Sequence, residues 1–212
     1  MGFVFIIESP SSEDLLDGKT EGKTLIEALR LSGINGWYSL VTSKATFYKT
    51  LQERLSMAIN AFPGKWPILH FSMHGDSQGL AVSNNEFISW DELRVALNEL
   101  NNAMQGRSLV CMSSCKGASA IQMAMIESEE KPFGALIGNT RTVAWSDAAV
   151  AYVTFYHQFF KDVPLPVAVE AMKIASGDDH FMYWEGEKIK NGWASFIQNK
   201  KFDLNLLPTD LY

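Results

Sequence analysis

An α/β fold with a mostly parallel central sheet is predicted by two features of this chain. Short, continuous apolar runs recur along it, and stretches with helical apolar spacing separate them. Continuous runs are what strands covered on both faces require, whereas strands with one wet face alternate. Connections of helical length between successive strands bring the strands round in parallel, right-handed crossovers.

Phe3 to Ile7 forms the first such run. The polar stretch 9–22, carrying Pro10 and two glycines, reads as a loop. A helix is predicted from Lys23 to Leu31, with Leu25, Ile26 and Leu29 on one face and Gly33 as its stop. Trp37 to Val41 is the second strand, after which Thr42 or Ser43 caps a helix carrying Phe47, Leu51, Leu55, Ala58 and Ile59. Pro63 and Gly64 end that helix. The third strand, Ile68 to Met73, runs into His74 and Gly75. A hairpin follows, from Gly79 to Val82 and from Glu86 to Ile88, turning at Asn84 and Asn85. Ser89 and Glu92 have capping-box spacing ahead of a helix through Leu93, Leu97 and Leu100. The fourth strand, Ser108 to Met112, leads into Ser113, Ser114 and Cys115. Beyond it come a helix over 118–126, a strand over 134–138, helices over 148–160 and 167–175, and a last short strand over 193–197. No repeat or composition shift divides the sequence, so residues 1–212 read as one domain.

Composition removes several function classes. Apolar residues make up 47% and charged residues 20%, a globular balance, and the net charge of −6 argues against a nucleic-acid partner. No apolar run approaches the roughly eighteen residues that span a bilayer. Cys111 and Cys115 lie about 13 Å apart along one extended segment, too far for a disulfide, so reduced thiols in a cytoplasmic setting are expected. The stretch Gly22-Lys23-Thr24 ends like a phosphate-binding loop, but Gly18 is one residue too close for that motif.

Two reactive side chains stand at strand ends, where open α/β sheets gather their working groups. His74 ends the third strand and Cys115 the fourth, with one hairpin and one helix between them. A right-handed crossover of that length makes the two strands neighbours, about 4.8 Å apart. A free thiol with a reference pKa of ~8.5 is mostly protonated at neutral pH, and a nearby imidazole supplies the missing base. Gly75 and Gly117 permit close backbone approach, and N–H groups after Cys115 can meet an oxyanion. Cys111, inside its strand, reads as a small buried hydrophobe, and His70 as a hydrogen-bonded interior residue. His157 and His180 have no visible partner. The spacing of His70, His74, Cys111 and Cys115 is unlike that of a metal site, so no metal is expected.

The stretches ILHFSMHGDSQGLAVSNNEFISWDEL and RSLVCMSSCKGASA resemble the His-Gly and Cys signatures of caspase-like (clan CD) cysteine peptidases, in particular CHAT-type domains. GALIGNTRTVAWSDAAVAYVTFYHQFF, AVEAMKIAS and NGWASFIQ are similar to later motifs of that family, so the resemblance runs from about residue 67 to 198. It implies a three-layer α/β/α sandwich and an endopeptidase that cleaves a protein or peptide substrate through an acyl-enzyme, without a cofactor. By position, His74 matches the family's base and Cys115 its nucleophile, with the Gly75 and Cys115 amides as oxyanion donors. Ser113 stands where relatives carry an acidic or glutamine residue that reads the P1 side chain. Arg141 and Asp147 lie in the loop that lines the specificity pocket in relatives. Arg141 there favours an acidic P1 and Asp147 a basic one, while Asp147 also suits an N-cap of the helix at Ala148, the more natural role. The resemblance further implies a regulated protease of a bacterial stress or defence pathway, with a regulatory partner or ligand encoded nearby. The alternative is a catalytically silent caspase-like binding or sensor module.

Overall fold

The computed structural model describes the backbone of residues 2–205 and the side chains of residues 2–200. Its elements follow in the order β1 (Gly2–Ser9), α1 (Ser12–Leu16), α2 (Glu21–Leu31), β2 (Gly36–Leu40), α3 (Lys44–Lys49), a π-helical turn (Thr50–Arg54), α4 (Leu55–Ala61) and β3 (Trp66–Gly75). Next come β4 (Gly79–Ala81), β5 (Phe87–Ser89), α5 (Trp90–Ala103), β6 (Leu109–Ser113), a 3-10 helix (Gly117–Ala124) and β7 (Ala135–Asn139). The chain finishes with α6 (Trp145–Phe159), α7 (Leu165–Ser176), β8 (Phe181–Glu185) and α8 (Gly186–Asn205).

The sheet runs in the order β2-β1-β3-β6-β7-β8. Its pairings are parallel up to β7, and β8 closes the edge antiparallel to β7. β4 and β5 form the hairpin, which pairs with the end of β3. Alternation along each strand feeds two separate cores. Phe3, Phe5 and Ile7 enter one, with Phe47, Leu51, Leu93 and Met112. Val4 and Ile6 enter the other, with Leu25, Ile137, Tyr152, Phe155 and Met172. A sheet buried on both faces by helices is the mixed α/β architecture that the continuous apolar runs predict.

Local signals act as expected at several places. Ser43 caps α3 and Ser89 caps α5, each serine amide donating in return to the side chain of the third helical residue. Asn85 takes a left-handed conformation, φ 66°, at the hairpin turn. Four expectations need correction. Residues 193–197 belong to α8, and the last strand is Phe181–Glu185. That strand lies at the sheet edge, and although Phe181 to Trp184 is a continuous apolar run, Met182 is exposed. The stretch 9–22 is not all loop, since it holds α1 and the first two residues of α2. The helix expected over 118–126 is a 3-10 helix over 117–124. Finally, α6 begins at Trp145 with Ala144 as its N-cap, which puts Asp147 inside the first turn. An acid there still faces the positive end of the helix dipole, but it is not the cap.

The second core carries a polar seam. Glu8 is buried, receiving the Gly22 and Lys23 amides at 2.7 and 3.2 Å and the Tyr38 hydroxyl at 2.7 Å. Burial pushes its carboxyl above the usual range despite these three donors. A raised native pKa stabilises the fold fully below the unfolded value and loses that contribution as pH rises through the native value. The urea midpoint of the wild type should therefore fall more than that of Glu8→Gln as pH rises from about 4.3, the ordinary glutamate value. Equal pH dependence in the two proteins would contradict this account of Glu8.

Candidate active site

β3 and β6 are parallel neighbours, with Ser72 opposite Ser113 at the last paired register. Two residues beyond that pair lie His74 on one chain segment and Cys115 on the other. Alternation puts His70, Ser72 and His74 on one face of β3, and Cys111 and Ser113 on the matching face of β6, while Cys115 follows in the turn beyond it. The two turns also touch. A Cβ added to Gly75 would lie 3.2 Å from both Cβ and Oγ of Ser114, so the His-bearing turn packs on the Cys-bearing one.

Behind Cys115 the backbone folds back sharply. Lys116 takes a left-handed conformation, φ 53° and ψ 28°, and its amide donates to the Arg141 carbonyl at 2.9 Å. A Cβ on Gly117 would lie 2.7 Å from the Met112 carbonyl oxygen, so only glycine fits there. This turn lifts Cys115 out of the buried strand, leaving it partly exposed, while Cys111 stays fully buried. The Cys115 thiol donates to the Val143 carbonyl at 3.9 Å, which ties it to the segment leading into α6.

His74 has 44% of its side chain exposed, and its Nε2 lies 2.5 Å from Asp14 Oδ2. Asp14 sits on α1, a segment taken for loop from the sequence, and so escaped notice there. A signal was present: Ser11-x-x-Asp14 ahead of Leu15-Leu16 has capping-box spacing, and Ser11 does cap α1. Burial works to raise the Asp14 carboxyl, but hydrogen bonds from Ser11 and His74 outweigh it and hold it below the usual aspartate range. The Trp145 ring meets the imidazole edge-on, 5.3 Å between centroids at 76°. With Nε2–H given to Asp14, Nδ1 is the nitrogen left with a lone pair.

The three residues expected to bind substrate fall in different settings. Ser113 is buried beneath the turn, and its hydroxyl has no partner among the described residues. Arg141 is exposed, and its backbone joins the Cys115 turn to Asn139 through its own amide, 2.8 Å from Asn139 Oδ1. Asp147 is exposed two residues after Trp145, with the Ser146 hydroxyl 3.3 Å from its Oδ1. His70 is interior as predicted, with Nδ1 3.0 Å from the Tyr156 hydroxyl and Nε2 3.4 Å from Glu21 Oε2. Among the described residues, no group of three or more His, Cys, Asp or Glu side chains is arranged to hold a metal. No helix among them is long and apolar enough to cross a membrane.

No protein-family model and no curated protein sequence matches this chain. Among solved structures, it is similar to the Arg specific cysteine proteinase gingipain R (RGPB), with a TM-score of 0.47 and 13% identity over 82% of this chain and 41% of that one. It is also similar to a complex of Porphyromonas gingivalis RgpB pro- and mature domains, with a TM-score of 0.48 and 14% identity over 87% of this chain and 47% of that one. The chain therefore spans less than half the length of either protein chain. At this distance no residue of this site is matched to one of theirs.

The two cysteines should differ sharply in chemistry. Burial pushes the Cys111 thiol up to about 12, which leaves it protonated and shielded. Iodoacetamide on the native protein, followed by peptide mapping, should label Cys115 and leave Cys111 unmodified. Preferential labelling of Cys111 would contradict the assignment.

Proposed function

We propose that this chain is a cysteine endopeptidase in which His74 is the general base and Cys115 the nucleophile. The observation that supports it best is the contact of the two strand-end turns, Gly75 against Ser114, at the carboxyl end of adjacent parallel strands. In the first step the imidazole takes the thiol proton, and sulfur forms a bond to the scissile carbonyl carbon. The carbonyl π pair moves to oxygen, for which the Gly75 and Cys115 amides are the proposed donors. Collapse of this adduct breaks the C–N bond, and the imidazolium returns its proton to the leaving amine. A water molecule, deprotonated by the same imidazole, then cleaves the thioester and frees the second product.

The resemblance of the sequence motifs makes this a caspase-like peptidase of the CHAT type, regulated by a partner or ligand in a bacterial stress or defence response within the cytoplasm. Ser113, Arg141 and Asp147 belong to the substrate-binding side of that reading. Arg141 is the member whose backbone is joined to the nucleophile turn while its side chain stays exposed, so it is the first to test for P1 choice. A second reading, a catalytically silent binding module, draws on one observation: the thiol is hydrogen-bonded to the Val143 carbonyl.

A peptide library incubated with the purified protein, alone and with the products of adjacent genes, separates the two readings. Cys115→Ala and His74→Ala should each lower cleavage by about 1,000-fold or more while the circular dichroism spectrum is unchanged. Cleavage that survives Cys115→Ala, or no cleavage by the wild type in any combination, would reject the peptidase.

A further inference from the structure

We propose that Asp14 is a positioning residue for His74, fixing the imidazole tautomer that leaves Nδ1 free to take the Cys115 proton. Its kinetic consequence rests on the peptidase reading, and its geometric part does not. Three donors converge on one oxygen: Asp14 Oδ2 receives the Ser11 hydroxyl at 2.6 Å, the Ser11 amide at 3.2 Å and His74 Nε2 at 2.5 Å. A carboxylate already held by two donors of one residue, Ser11, loses little side-chain entropy when it meets a third donor. The same charge stabilises the imidazolium that forms when the ring takes a proton.

The way α1 is seated points in the same direction. None of its residues is buried, and Leu16 is 88% exposed, so apolar packing does not hold the helix in place. Polar ties do. Just before it, the Ser9 hydroxyl donates to the Val41 carbonyl at 2.8 Å, and the Ser83 hydroxyl donates to the Pro10 carbonyl at 2.6 Å. These bonds fasten the end of β1 to the hairpin side of the site, and the next tie is the Asp14–His74 bond itself. The Trp145 ring, T-shaped to the imidazole, also limits its rotation. The imidazole is thus held by a carboxylate and an indole that come from segments far apart in sequence.

Asp14 also completes the capping box of α1, and a purely structural role must be distinguished. Asp14→Glu does so, because Glu at this position keeps the box yet carries its carboxylate one methylene further along. Asp14→Asn keeps the size and removes the charge. The experiment pairs long-range proton–nitrogen spectra of the four histidines, with His74→Ala for assignment, and steady-state peptide cleavage. In the wild type, His74 should populate the Nε2–H form, and Asp14→Ala should lose that bias. Asp14→Asn should lower kcat about 100-fold or more with KM little changed, and Asp14→Glu should lower it about tenfold or more. The same tautomer mixture in wild type and Asp14→Ala, or Asp14→Glu cleaving at the wild-type rate, would overturn the proposal. A wild type that cleaves no peptide rejects the peptidase reading, and the tautomer comparison then decides the role of Asp14 alone.

Discussion

The parallel pairing of β3 with β6 is the constraint on which the candidate site depends. Register fixes Ser72 against Ser113, and an imidazole and a thiol each follow two residues later on the two chain segments. A one-residue slip of either strand would turn its reactive side chain to the opposite face. That slip is opposed by the whole interior, since it would also move Ile68, His70 and Cys111 out of the second core and Leu69 and Phe71 out of the first. Ile68, Leu69 and Phe71 each contribute about 1.5–3 kcal/mol when buried. The position of the chemistry is therefore set by the packing of residues that take no part in it.

Directly beneath the site, the sheet carries a polar row where an apolar one would be the ordinary solution. Glu8, Ser72 and Ser113 follow one another across β1, β3 and β6, all buried. Glu8 is satisfied by the start of α2 and by Tyr38, whereas the hydroxyls of Ser72 and Ser113 have no partner among the described residues. An unpaired buried hydroxyl costs about 1–3 kcal/mol. One row further down, His70 bridges Tyr156 and Glu21, and apolar packing resumes around it. Polarity thus rises stepwise from the core to the strand tips, and the polar rows are joined to α2 and α6, two of the helices that cover this face.

Much of this was legible in the sequence, for definite reasons. Phe3 to Ile7 and Leu109 to Met112 are continuous apolar runs, which only doubly covered strands need, and both are strands of the buried sheet. Ser89 with Glu92 specified a helix start to the residue. The adjacency of the His74 and Cys115 tips followed from connection length and crossover handedness. What was hidden depends on contacts that no local pattern encodes. α1 is short and buries nothing, so hydrophobic periodicity cannot report it, and the partner of its carboxylate lies sixty residues away. β8 is a short edge strand whose apolar run, Phe181 to Trp184, leaves Met182 exposed, and in 193–197 Trp193, Phe196 and Ile197 follow helical spacing.

The central claim is that one peptide carbonyl can meet the Cys115 sulfur, the His74 ring and the amides of Gly75 and Cys115 together. A crystal structure of the protein treated with a peptidyl chloromethyl ketone tests this most directly. The account predicts a covalent bond to Cys115 Sγ, with the His74 imidazole beside the adduct, Asp14 on its far nitrogen and the ketone oxygen against the two amides. An adduct on a different side chain, or a His74 ring out of reach of the sulfur in that complex, would contradict it.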